Sequence, residues 1–125
     1  MEIRKLVNHK YAQCGMYKMY TLINGGNFDG MEWGFISYTT RVIIVRGSRV
    51  VFSGYYSTTT SRQMTWWLAE YGSKIKGLTR DTLKIMAKKG LAYDFETGEL
   101  APLTHDELRE IKETRNAAFN YGYGW

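Results

Sequence analysis

The chain has 125 residues and a mass of 14.5 kDa, enough for one domain with a real core and too little for two. Hydrophobic residues make up 44% and proline occurs once, so apolar burial can offset chain entropy and a disordered chain is excluded. Seventeen Lys and Arg against twelve Asp and Glu give +5, which favours polyanionic partners, while a lone cysteine, Cys14, rules out an intramolecular disulfide and suits a reducing cytoplasm.

In chain order, "MEIRKLVN" places Ile3, Leu6 and Val7 among charges, and "CGMYKMYTLI" places Met16, Met19, Tyr20 and Ile23 at a spacing compatible with helix or strand. Neither segment carries the apolar core of a signal peptide, and no apolar run approaches the roughly 18 residues of a membrane span. "NGGNFDG", residues 24–30, is dense in turn formers and is expected to be a loop. Residues 33–55 read as an antiparallel hairpin, with Gly47 and Ser48 as its two-residue turn. The unbroken run Val42, Ile43, Ile44, Val45 predicts a strand covered on both faces.

Three helices follow. In "TSRQMTWWLAEYG", Met64, Trp67, Leu68 and Tyr71 fall on one face, Trp66 falls off it, Thr59 or Thr60 suits the N-cap, and Gly72 suits the end. "LTRDTLKIMAKKG" has Thr79 as cap, Asp81 in the first turn, Lys88 and Lys89 in the last, and Gly90 as terminator. "LAYDFETGEL" reads as strand, turn and strand; Thr104 and Glu107 then form a capping box for a helix carrying Leu108, Ile111 and Arg115 on one face. The expected architecture is a single α+β domain over residues 1–125. It comprises an N-terminal segment and loop (1–32), the hairpin and its antiparallel sheet (33–55), a helical part (60–118) with helices near 60–71, 79–89 and 105–118, and a Gly- and aromatic-rich tail (119–125).

Catalytic signatures are not found. His9, His105 and Cys14 lack the spacing of a zinc site, so no metal and no cofactor is expected. "NGGNFDG" has three glycines without the phosphate-loop spacing, and Glu96 and Glu99 read as solvated turn residues. No nucleophile, base and orienting group can be assembled, so the expectation is a protein that is not an enzyme. Binding chemistry is better represented. Arg41, Arg46, Arg49 and Arg62 lie on or beside the hairpin, interleaved with Tyr56 and Trp66. Guanidinium groups grip phosphates bidentately and aromatic faces stack on bases, so these six residues are the candidate contacts for nucleic acid. The alternative for the same residues is edge solubility and cross-strand packing.

Two stretches, "SYTTRV" at Ser37 to Val42 and "YSTTTSRQ" at Tyr56 to Gln63, resemble a pattern found in small uncharacterised proteins of phages and mobile elements in Gram-positive and gut bacteria. That pattern reads Tyr-Ser-x-Thr-Thr-Ser-basic-His; Gln63 stands at the histidine position, so an imidazole role is not carried over. The resemblance implies a genetic setting: an accessory protein in a bacterial host cell that binds nucleic acid or a nucleoprotein host-defence complex, such as an anti-CRISPR inhibitor of a Cas effector. Two other readings stay open. One is a protein-interaction module, homo-oligomeric, anchored by exposed aromatics including Trp125; the other is a small enzyme using His9 and Cys14.

Overall fold

Alternating and continuous apolar runs become seven strands: β1 (Glu2–Lys5), β2 (Cys14–Leu22), β3 (Phe28–Ser37), β4 (Thr40–Arg46), β5 (Arg49–Phe52), β6 (Leu91–Asp94) and β7 (Glu99–Pro102). They form one antiparallel sheet in the order of the chain. The computed structural model describes residues 2–6, 14–22, 28–38, 40–54 and 58–120. Between β5 and β6 the chain leaves the sheet to form α1 (Thr58–Tyr71), a 3-10 turn (Gly72–Lys74) and α2 (Arg80–Lys89); after β7 comes α3 (His105–Asn120). The protein is an α+β domain with three helices on a seven-stranded sheet, as the sequence predicts.

The strand register assigns side chains to the two faces. Phe35 pairs with Ile43 and Ile43 with Phe52; Trp33 pairs with Val45, Val45 with Val50 and Val50 with Tyr93. That face packs against Met64 and Trp67 of α1 and Leu83 and Met86 of α2. Ile44, Val51 and Ala92 point the other way and pack against Leu103 and Ile111, under α3. A register shift beside Ile36 leaves Val42 unpaired on β4, and Val42 joins the α1–α2 core instead of alternating away from it. Val42, Ile43, Ile44 and Val45 are all fully buried, so the continuous run does mark a strand covered on both faces. At the centre Trp67 is sealed from solvent, with the rings of Trp33, Phe35 and Tyr71 each 6.0 Å away.

Helix ends follow their local chemistry. Thr79 accepts a hydrogen bond from the Thr82 N–H, and Gly90 closes α2 at φ 67°, a left-handed conformation that glycine adopts without a Cβ penalty. Thr104 and Glu107 form the reciprocal capping box at α3: the Glu107 N–H donates to Thr104 Oγ1 at 3.2 Å, and the Thr104 N–H donates to Glu107 Oε1 at 2.8 Å.

Four expectations change. Residues 33–55 make parts of three strands rather than one hairpin, because a tight turn after Ser37 reverses the chain between β3 and β4; the Gly47–Ser48 turn lies where the sequence puts it. The expected loop at 24–30 already contains the start of β3 at Phe28, and 24–27 lie outside the described residues. Helix α1 begins at Thr58, so Thr59 and Thr60 are inside it rather than capping it, and Thr60 is buried. On α3, Leu108 is 51% exposed; Glu107, Ile111 and Thr114 face the sheet instead, because Arg49 draws Glu107 inward. The aromatic tail from Tyr121 lies outside the described residues.

Candidate functional site

Arg41 and Arg46 project from β4 on the α3 side of the sheet and meet at a single carboxylate. Arg46 Nε and Nη2 donate to Glu32 Oε2 at 2.9 and 2.7 Å, and Arg41 Nη1 donates to Glu32 Oε1 at 2.7 Å. The buried Tyr17 hydroxyl adds a fourth bond to Glu32 at 3.0 Å. Glu110 of α3 closes the cluster, accepting from Arg46 Nη1 at 2.8 Å and from Nη2 at 2.5 Å. Burial opposes ionisation of Glu32, but the hydrogen bonds from Arg46 and Arg41 outweigh it and hold the carboxyl below its ordinary range. Arg49, on β5, grips Glu107 bidentately at 2.7 Å through both Nε and Nη2 and reaches the Pro102 carbonyl at 3.3 Å. That grip, first, and the Thr104 N–H, against the cost of burial, depress the Glu107 carboxyl. Arg46 and Arg49 therefore bolt α3 to the sheet through forks filled by glutamates, while Arg41 holds Glu32 through one nitrogen and lies 3.8 Å from Glu110.

Arg62 and Trp66 are elsewhere. They lie one turn apart on α1, which packs on the opposite face, so the sheet separates them from the hairpin arginines. Arg62 is exposed; Trp66 is half-buried and rests against the core. Tyr56 lies outside the described residues. Five of the six candidate contacts thus divide into a structural set of three arginines on the α3 side and the pair Arg62 and Trp66 on the α1 side.

Part of the hydroxyl-rich motif is internal. Its two halves meet where Ser37 Oγ donates to Gln63 Oε1 at 2.5 Å. Ser37, Thr40, Ser53, Thr60 and Gln63 are all fully buried, forming a polar seam between the sheet end and the first turns of α1. Thr40 pairs directly with Ser37 in the β3–β4 register. Within Tyr56–Gln63, Thr60 and Gln63 join this seam, whereas Thr58, Thr59 and Arg62 are exposed.

Arg62 and Trp66 lie in a segment of the chain, α1 to α2, whose basic balance residue-by-residue reading missed. Between residues 58 and 90 there are seven Lys and Arg against two Asp and Glu; between 91 and 114 there are two against seven. The first block is the α1–α2 layer and the second comprises β6, β7 and α3. Lys74, Lys76, Lys84, Lys88 and Lys89 are all exposed. Arg80 ties the two helices together, donating to the Ser61 carbonyl at 2.9 Å, to Ser61 Oγ at 2.6 Å and to Thr65 Oγ1. On the α3 side Glu107 and Glu110 are paired with Arg49 and Arg46, which offsets part of the negative balance of that block. A running count of charge along the sequence would have exposed this break near residue 90.

No helix among the described residues is long and apolar enough to cross a membrane. A family of unknown function, DUF8033, matches residues 1–84, from β1 through α1 and into α2. No curated protein and no solved structure matches the chain.

Proposed function

The chain belongs to this family of unknown function, DUF8033, and we propose that it is a non-catalytic accessory protein that binds nucleic acid, free or within a nucleoprotein host-defence complex, through its α1–α2 layer. The observation that carries the reading is the concentration of exposed lysines on one helical layer, with Arg62 and the half-exposed Trp66 among them. Lysine ammonium groups on rigid helices neutralise phosphates without base preference, and a tryptophan offers a face on which a base can stack. The hairpin arginines, occupied by Glu32, Glu107 and Glu110, serve this function by holding the sheet and α3 together.

The test compares two variants in retardation assays on single- and double-stranded DNA and RNA. Replacing Lys84, Lys88 and Lys89 with alanine is expected to weaken binding across all sequences. It should also flatten the slope of log affinity against log salt by roughly 0.7 to 0.9 for each phosphate that is no longer neutralised. Replacing Arg49 with alanine is expected to lower stability and leave that slope unchanged. Absence of any retardation at low salt, or a lysine variant that binds like the parent, removes the proposal. The phage setting implied by the resemblance supplies a specific target, a Cas nuclease whose guide RNA presents the same phosphates. Cleavage that continues unaffected at a molar excess of the protein would remove that target while leaving the free nucleic acid reading to stand on its own assay.

A further inference from the structure

On the α3 side of the sheet, residues of β1, β2 and β3 border a small cavity. Lys5 of β1 pairs with Gly15 of β2, and Gly15 pairs with Ile36 of β3, so these three occupy one row across the sheet. Directly paired residues point to the same face, and the middle of that row carries no side chain of its own, although Gly15 is itself buried. The gap is enforced: a Cβ at Gly15 would lie 1.7 Å from the Arg4 carbonyl oxygen, a collision with backbone that no side-chain movement relieves. Beside it is this cavity of about 170 Å3, lined by Ile3, Lys5, Cys14, Ile36 and Tyr38. Tyr38 sits in the tight β3–β4 turn at φ 54°, the positive φ that a two-residue hairpin turn requires.

The lining specifies the ligand. Ile3 and Ile36 provide apolar walls; Cys14 borders the cavity, but its pairing with Ser37 puts its side chain in the α1-side core, where burial pushes the thiol up to about 11. Lys5 is exposed and brings one positive charge; among the described residues the lining contains no carboxylate. A dry cavity of roughly 150 Å3 accommodates one benzene ring, so the volume suits a single ring or a short branched chain. From the cavity's size, its Ile3 and Ile36 walls and the Lys5 ammonium we infer that it binds a small monocarboxylate with an aromatic or branched aliphatic body, its ring between Ile3 and Ile36 and its carboxylate at Lys5. The site is independent of the basic helical layer, which lies on the opposite face.

Benzoate is the probe, titrated into the full-length chain while the methyl signals of Ile3 and Ile36 are followed by NMR. Saturable shifts confined to these methyls, with a millimolar dissociation constant, are expected of a ligand this small. Lys5→Met should weaken benzoate by about three- to tenfold, the range for a charge-assisted contact at a solvated site, and leave benzyl alcohol binding unchanged. Ile3→Trp, at a half-exposed position where the larger side chain fills the cavity from outside, should abolish binding of both probes. Absence of methyl shifts, shifts scattered over the surface, equal affinity of Lys5→Met and parent for benzoate, or retained binding in Ile3→Trp would each overturn the inference.

Discussion

Glu32 is the residue whose loss tests the structural role of the hairpin arginines most sharply. Its carboxylate accepts one bond from Tyr17, one from Arg41 and two from Arg46, and its side chain is 12% exposed. Glu32→Gln keeps the volume but replaces one acceptor with a donor facing guanidinium donors, and it removes the charge that both arginines answer. Removing one partner of a fully buried pair costs about 3–5 kcal/mol. The side chains of Arg46 and Arg41 retain 46% and 28% of their exposure, so water recovers part of that, and the expected loss is about 2–3 kcal/mol. Urea unfolding at pH 7, followed by tryptophan fluorescence, should show the midpoint falling by about 1–2 M with an unchanged slope, taking slopes of about 1–3 kcal/mol/M for small domains. A cycle with Arg46→Ala should return a coupling of about 1 kcal/mol or more. A loss below about 1 kcal/mol, or strict additivity with Arg46→Ala, would refute the idea that these arginines are structural and would return them to the candidates for ligand binding.

Acid should loosen α3 through Glu107. Its carboxyl is held below the ordinary value of 4.5 in the folded protein, so the associated stability is fully present above about pH 4.5 and declines as pH falls through the lower folded value. Glu107→Gln is therefore expected to be less stable at pH 7 and to lose less stability than the parent between pH 5 and about pH 3; parallel curves would contradict this. Cys14, 2% exposed with its thiol pushed up to about 11, should react with a thiol reagent at pH 8 only through opening of the β1–β3 region. Denaturant well below the unfolding midpoint should accelerate labelling, and saturating benzoate should slow it; rapid labelling without denaturant would contradict the buried position.

Legibility in the sequence follows the range of the interactions. Helix boundaries set by neighbours along the chain are readable: Thr79 and Gly90 around α2, and Thr104 with Glu107 at α3, all act within a few residues. The two N-terminal strands are ambiguous because Met16, Met19 and Tyr20 satisfy both periods, and the register with β3 decides in favour of strand. The binding residues mislead for a related reason. An arginine on a strand looks free when its partner is sixty residues away, as Glu110 is from Arg46 and Glu107 from Arg49. Leu108 looks internal for the same reason: the helical pattern does not say which stripe turns inward when a glutamate has an arginine waiting on the sheet. The net sign of each layer, by contrast, is present in the sequence as a sum over segments rather than as a motif.

The strand order bears on how the chain reaches its final form. Each pairing from β1 to β5, and that of β6 with β7, joins strands adjacent in the chain, but β5 meets β6 only when Val50 finds Tyr93, with the whole α1–α2 layer in between. Closing that long loop is the step with the largest entropy cost, and it comes late during synthesis, after five strands have already emerged. Until then β5 is an open edge, and Arg49, which ends beside Asp94 and Glu107, has neither neighbour yet. A positive charge on an unfinished edge discourages a second nascent chain from adding its own strand there. The arginine that later fastens α3 thus also guards the half-built sheet, and nascent chains of Arg49→Ile should aggregate more than the finished protein's stability alone would suggest.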